Sequence, residues 1–174
     1  MGLSIDHVGI VVRDVRTAVA RFAGLLGLPD SALTVSTVTD PETGEAIDVG
    51  FLRIGENRIE FICPRPGSRS RFAEHLDRNG ESLYHISVYV DEFGEAVDRL
   101  RGDGVAVDPL TVVMTSPAAV TEASVTEGAV TVAAAATVAP TRVVDIAWLP
   151  TELTCGVNVE LVNAVARSGP AAGA

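Results

Sequence analysis

The chain of 174 residues has no lysine; all 13 of its basic residues are arginine. That absence excludes a catalytic Schiff base, which needs a lysine amine. We read it as the coding bias of a GC-rich bacterial genome. Cysteine is scarce as well. Cys63 and Cys155 are the only two; they form no CxxC pair and are too few for a disulfide framework, so reduced, mostly buried thiols are expected. Positive charge is in short supply, and the formal net charge is −10. Nucleic acid demands a basic partner and an anionic membrane attracts one, so neither is expected. No apolar run is long enough to span a bilayer, and the N-terminus lacks the basic flank and cleavage site of a secretory signal. The expectation is a soluble, cytoplasmic protein.

What the chain does have is apolar material, 47% of its residues. That is enough for a real core in one ordinary domain or two small fused modules. It also has an internal repeat. Shifted by 78 residues, "SIDHVGIVVRDVRTAVARF" falls on "SLYHISVYVDEFGEAVDRL" without a gap. Ser4 meets Ser82, His7 meets His85, Val12 meets Val90 and Arg21 meets Arg99. Each copy opens with a β-type apolar run, passes an acidic residue (Asp14, Glu92) and changes to helical spacing: Val15-Val19-Phe22, then Phe93-Val97-Leu100. Asp14 is placed as an N-cap. A second pair, "NRIEFIC" and "VNVELVN", aligns Glu60 with Glu160 at a shift of 100. The second copy therefore carries about 22 additional residues between its helix and its last strand.

Each copy reads as strand, helix and three strands. Expected strands are 4–12, 33–39, 47–54 and 57–64, then 82–90, 105–113, 140–149 and 156–164. Module 1 spans 3–64, and module 2 spans 82–165. The linker 65–81 begins with turn chemistry and is expected to hold a short helix from Ser70 to Arg78. One module alone covers a sheet face poorly, so the two should pack together as a single domain. The added stretch, 115–141, is rich in Thr, Val and Ala and poor in charge. Its alternation predicts additional β-structure near a site mouth or a subunit contact. Residues 166–174 are expected to be a disordered tail.

The repeat bears on the histidines. His7 and His85 both sit in apolar first strands, and Glu60 and Glu160 both sit in apolar last strands. Burying one such group is costly. A divalent cation held by all four at equivalent positions removes the cost by supplying the missing charge. A mixed N/O donor set suits Co, Mn, Ni, Zn or Fe, with positions open to water or substrate. The third histidine, His75, lies on the linker helix and is taken as a surface residue.

"IDHVGIVVRDV", "FLRIGENRIEFICP", "NGESLYHISVYVDEFGEAV" and "GVNVELV" resemble the vicinal-oxygen-chelate superfamily of glyoxalase I, ring-cleaving dioxygenases and bleomycin-resistance proteins. Within it they are most similar to methylmalonyl-CoA epimerases. The likeness covers about 1–109 and 142–164. It implies an α+β fold of two tandem βαβββ modules forming an open, cupped, eight-stranded sheet around one metal, with His7, Glu60, His85 and Glu160 as ligands. It implies a homodimer and a small-molecule substrate that chelates the ion through two oxygens. The implied reaction is epimerisation by α-proton abstraction through a metal-stabilised enediolate, with Glu160 as both ligand and base. A second base comes, in the family, from a Glu-Gln-Gly loop. Here the loop is "DPETGEAIDVGF", where Glu45 matches best by spacing and Glu42 and Asp48 compete.

Three departures from the family pattern stand out. Tyr84 replaces the first of two adjacent histidines, Pro150 follows Leu149 where the family has His-Pro, and 115–141 replaces a short connection. Tyr84 and Trp148 are candidate substrate contacts. The alternatives left open are a cyclitol or sugar ketone epimerase, a glyoxalase-type lyase, a dioxygenase, and a non-catalytic small-molecule binding or resistance protein.

Overall fold

A computed structural model describes residues 3–28, 33–40, 42–115 and 141–165. Its elements in chain order are β1 (Leu3–Val11), α1 (Val15–Leu26), β2 (Leu33–Thr39), β3 (Ala46–Ile54), β4 (Asn57–Pro64), α2 (Arg71–Asn79), β5 (Ser82–Val90), α3 (Phe93–Gly102), β6 (Pro109–Thr115), β7 (Thr141–Leu149) and β8 (Asn158–Val165). The expected additional β-structure in 115–141 lies outside the described residues, apart from Thr115 and Thr141 at its ends, which pair with each other. The expected tail at 166–174 also lies outside them.

The eight strands follow one another in the order β1-β4-β3-β2-β6-β7-β8-β5, and β5 returns to β1. The two halves repeat the same order, β1-β4-β3-β2 and β5-β8-β7-β6. They join back to back where β1 and β5 run antiparallel. At the far edges β2 meets β6 through Thr37–Thr115 and Val38–Met114. The expected open cup is thus drawn nearly shut among the described residues.

Period-2 alternation sorts each strand into an outer and an inner set. In β4, Ile59, Phe61 and Cys63 face α1 with Val15, Val19 and Leu52. In the second half, Leu161 and Ala147 face α3 with Ala96 and Val97. Phe61 is wholly buried, which contributes roughly 1.5–3 kcal/mol. The inner set, Val11, Val38, Ile47, Val49 and Ile62 with Val144, Ile146 and Val162, lines the cup.

Local signals set the helix starts. Asp14 caps α1, its carboxylate accepting from the Thr17 N–H at 2.6 Å, and Gly27 ends the helix at φ 65°. Ser70 caps α2 by accepting from the Ala73 N–H at 3.3 Å. Strand β6 begins four residues later than its apolar pattern predicts. Val105 and Val107 pack beneath α3 as a connection instead, and Arg101 Nε donates to the Val107 carbonyl at 3.0 Å. Pro109 then opens the strand, where its missing N–H costs no ladder bond.

Candidate metal centre

Four neighbouring strands, β4-β1-β5-β8, carry Glu60, His7, His85 and Glu160. The register repeats in the two halves: Gly9 lies opposite Glu60 in β1/β4, and Ser87 lies opposite Glu160 in β5/β8. Across the β1/β5 seam, Gly9 faces His85 and Ser87 faces His7. The β1/β5 register slips at Asp6 and again at Tyr84, so each histidine follows one extra residue, a β-bulge at equivalent points of the two copies.

The four side chains converge. His7 Nε2 lies 2.9 Å from His85 Nε2, 3.2 Å from Glu60 Oε2 and 3.7 Å from Glu160 Oε2. His85 Nε2 lies 3.5 Å from Glu60 Oε2 and 3.9 Å from Glu160 Oε2. Both imidazoles and Glu160 are buried. Ligand atoms of His7, His85 and Glu160 all lie within 4.8 Å of one another.

Around this cluster the charge states separate. Burial works against a charged His7, but the Glu60 carboxylate, the hydrogen bonds to Asp6 and Glu60, and the Glu160 charge outweigh it and push the imidazole up to about 10. Burial pushes His85 down to about 4, and the charge on His7 adds to that. Glu60 also resists burial and is held below its ordinary range, chiefly by His7. Burial pushes Glu160 up to about 7. His7 Nε2 thus meets both the His85 ring nitrogen and the Glu60 carboxylate at the point where the donor atoms converge. Two imidazoles and two carboxylates converging on one point form a mixed N/O donor set that fits a divalent cation, which supplies the charge such a buried cluster calls for.

Neighbours that the repeat does not reveal orient the cluster. His7 Nδ1 is 2.7 Å from Asp6 Oδ2, and Asp6 forms an ion pair with Arg58, whose guanidinium lies 5.0 Å from the centre of the Phe51 ring. A carboxylate behind a ligand histidine is the usual way of fixing its ring and tautomer. Gly9 matters for shape: a Cβ there would collide with the His85 imidazole. A glycine inside an apolar strand, two residues past His7, is the sequence signal for such a close approach.

The cluster floors a cavity of about 880 Å³, its open mouth included. The first half contributes Val38, Ile47, Val49, Phe51 and Ile62 to its walls, and the second contributes Leu110, Val112, Val144, Ile146 and Val162. Trp148 also lines it, with its ring 5.3 Å from that of His85 and edge-on. Arg71 stands over the Trp148 ring at 5.0 Å and pairs with Glu42.

Other expected site residues lie elsewhere. Glu45 is absent from the cavity lining; its carboxylate accepts from Ser68 Oγ and from the Arg69 N–H at 3.1 Å, tying the β2–β3 turn to the approach of α2. Asp48 points to the outer face, 2.8 Å from Arg65. Glu42 does line the cavity. Tyr84 is not among the lining residues either; it packs edge-on beside Phe72 and His75, 5.0 Å from each ring. His75, expected at the surface, is half-buried, with Nε2 2.9 Å from Ser82 Oγ. Cys155, expected buried, is exposed in a turn at φ 57°.

Residues 6–124 match the family model of the Glyoxalase/Bleomycin resistance protein/Dioxygenase superfamily. The chain belongs to this superfamily. Solved structures share its fold. A hypothetical protein from Bacillus halodurans C-125 is 22% identical over 97% of this chain and 99% of that one, with a TM-score of 0.63. Methylmalonyl-CoA epimerase from Mycobacterium tuberculosis is 22% identical over 91% and 85%, with a TM-score of 0.59. A Streptomyces coelicolor methylmalonyl-CoA epimerase variant in complex with 2-nitronate-propionyl-CoA is 20% identical over 96% and 98%, with a TM-score of 0.61. No curated protein sequence matches the chain. Among the described residues, no helix is long and apolar enough to cross a membrane.

Proposed function

We propose that this superfamily member is a metal-dependent epimerase or isomerase acting on a carbon acid, a substrate with an acidic C–H beside a carbonyl group. The observation that carries the reading is the meeting of two imidazoles and two carboxylates at the floor of a closed-walled cavity. His7, Glu60, His85 and Glu160 would hold the ion. A divalent cation bound there supplies Lewis-acid charge for two substrate oxygens and for the negative charge that develops on them.

The protein's own part is proton transfer. Glu60 on β4 and Glu160 on β8 flank the β1/β5 seam from opposite sides. One carboxylate accepts the α-proton as the C–H bond breaks and its electron pair moves to the carbonyl oxygen. The other returns a proton to the opposite face, and the configuration inverts with no net change in protons. Running the reaction backwards exchanges their roles. We place the second base at Glu60 rather than at Glu45, whose carboxylate is engaged by Ser68 and Arg69. The expectation that Glu160 serves as both ligand and base is retained. The likeness to methylmalonyl-CoA epimerases supports the reaction class.

A second reading, an Fe(II) oxygenase, draws on the two-His-one-carboxylate group of His7, His85 and Glu160. Glu60, 3.2 Å from His7, counts against it by adding a fourth donor where that chemistry keeps a position open.

The test is α-proton exchange in D₂O, followed by proton NMR, with methylmalonyl-CoA and a set of α-hydroxyketones. Exchange that needs added divalent ion is expected. Glu60→Gln and Glu160→Gln should each abolish epimerisation, whereas Glu45→Gln should retain it. No exchange of any carbon acid by the metal-loaded protein would remove the epimerase reading. Loss of turnover in Glu45→Gln but not in Glu60→Gln would move the second base back to the β2–β3 loop.

A further inference from the structure

Resting on the epimerase reading, we infer that the substrate carries a bulky apolar body behind its two chelating oxygens, an aryl or branched-alkyl hydroxyketone or related carbon acid. A short dicarboxylate or a sugar-like polyol does not fit the same walls. Above the donor cluster the cavity is faced by side chains such as Val49, Ile62, Val112, Val144 and Ile146, with Trp148 at one side. None of these aliphatic groups offers a hydrogen bond. A polyol seated there would surrender its water contacts and receive none in return, whereas an aryl or branched-alkyl group gains from leaving water. The space runs from the donor cluster between these apolar walls to an open mouth, so a body behind the chelating oxygens can extend along it.

The charged residues of the lining agree. The cationic side chains among the described lining residues are Arg58 and Arg71, and each already has a carboxylate partner, Asp6 and Glu42 respectively. Asp40 uses Oδ1 on the backbone N–H groups of Glu42 and Thr43, at 2.8 and 3.3 Å, and its buried Oδ2, with no partner among the described residues, is a single acceptor in the wall. Among the described lining residues, a free carboxylate on the substrate would therefore find unpaired counter-charge only at an ion held by the donor cluster. Among the described residues, polar recognition is concentrated at the floor and at Asp40, and the aliphatic walls recognise shape.

Trp148 is the only tryptophan and lines the cavity, so its fluorescence reports occupancy. The experiment titrates the zinc-loaded full chain with benzoin, acetoin, dihydroxyacetone and methylmalonyl-CoA. The first three share one hydroxyketone head and differ in body. Benzoin should bind about 100-fold more tightly than acetoin or dihydroxyacetone, the difference expected for burying its rings. The near-isosteric Val112→Thr and Val144→Thr should each weaken benzoin several-fold and leave acetoin unchanged. Val112 is half-buried, so that variant serves even if Val144→Thr fails to fold. Equal or tighter binding of dihydroxyacetone, acetoin or methylmalonyl-CoA overturns the inference. Tight benzoin binding with no α-proton exchange in any compound leaves the apolar specificity standing and overturns the epimerase reading. Exchange of dihydroxyacetone or methylmalonyl-CoA without benzoin binding does the reverse.

Discussion

His7 and His85 occupy equivalent positions in two copies of one module, yet the two copies hold them by different means. In the first half His7 is held by charge: its Nδ1 meets Asp6, and Asp6 meets Arg58. In the second half the positions equivalent to Asp6 and Arg58 are Tyr84 and Asn158. Buried His85 Nδ1 there has no hydrogen-bond partner among the described residues. Shape holds that ring instead, with Gly9 leaving room on one side and Trp148 and Tyr84 standing edge-on at 5.3 and 5.8 Å. Within the repeat, the groups that meet at the cluster have stayed alike while their supports have diverged. The difference teaches that the cluster constrains where each ring nitrogen sits and leaves the means of holding it free.

Removing a ligand should erase the comparison altogether. His7→Ala and His85→Ala are each expected to lose stoichiometric metal, read by elemental analysis of protein purified without an affinity tag, while His75→Ala keeps it. Full metal content in His85→Ala would show that the two halves do not share one site. In the wild type, a divalent ion that binds only the folded state should raise the melting temperature, by about 2.7 kcal/mol of stability at 100 times its Kd.

Next in size, Gly9→Ala strikes the shape-held half from across the seam. The new methyl group must displace the His85 ring or the strand. A stability loss of about 1–3 kcal/mol is expected from overpacking, together with weakened metal binding. The reverse change in the other copy, Ser87→Gly, creates no collision and should leave the His7 ring in place. If Gly9→Ala binds metal as the wild type does, steric fit is not what seats His85.

Asp6→Asn tests the charge-held half. It keeps the size of the side chain, removes the carboxylate behind His7, and should cost about 10–100-fold in metal affinity with little change in fold. Tyr84→Phe alters the equivalent position in the other half and should leave metal affinity unchanged. Equal losses in the two variants would mean that the carboxylate behind His7 has no special part in metal affinity.

The smallest expected effect contrasts the two module helices. Asp14 caps α1 through the Thr17 N–H, whereas Glu92 at the start of α3 makes no side-chain capping bond. Asp14→Ala should lower the melting temperature slightly and Glu92→Ala should not. The bonds from Thr17 hold the Asp14 carboxyl below its ordinary range. Its contribution is therefore complete above the ordinary value and fades as pH falls through the lowered one. The gap between the two variants should close in acid, as thermal melts at descending pH would reveal.

The alternation of apolar residues was enough to locate most strands, and the repeat at a shift of 78 exposed the histidine pair. Local capping chemistry at Asp14 and Ser70 placed two helix starts. These features depend on short stretches of chain, so they can be read along it. Where the reading failed, the deciding neighbour lay far off in sequence. Val105 and Val107 look like strand residues until α3 is there to cover them. Tyr84 looks like a pocket residue until the bulge and α2 turn it toward Phe72 and His75. Glu45 looks like a base until Ser68 and Arg69 engage its carboxylate.

The sequence by itself determined the two-module plan and the four paired histidines and glutamates that converge, because periodicity and internal duplication are written in the order of residues. Only the tertiary structure decided how those donors are held, which loop acids reach the cavity, and what its walls prefer. Each of those outcomes depends on a contact between segments far apart in the chain: Arg58 with Asp6, Gly9 with His85, Arg71 with both Glu42 and Trp148. Such contacts have no local signature, since the energy that selects them exists only once the sheet has curled and brought its two halves together.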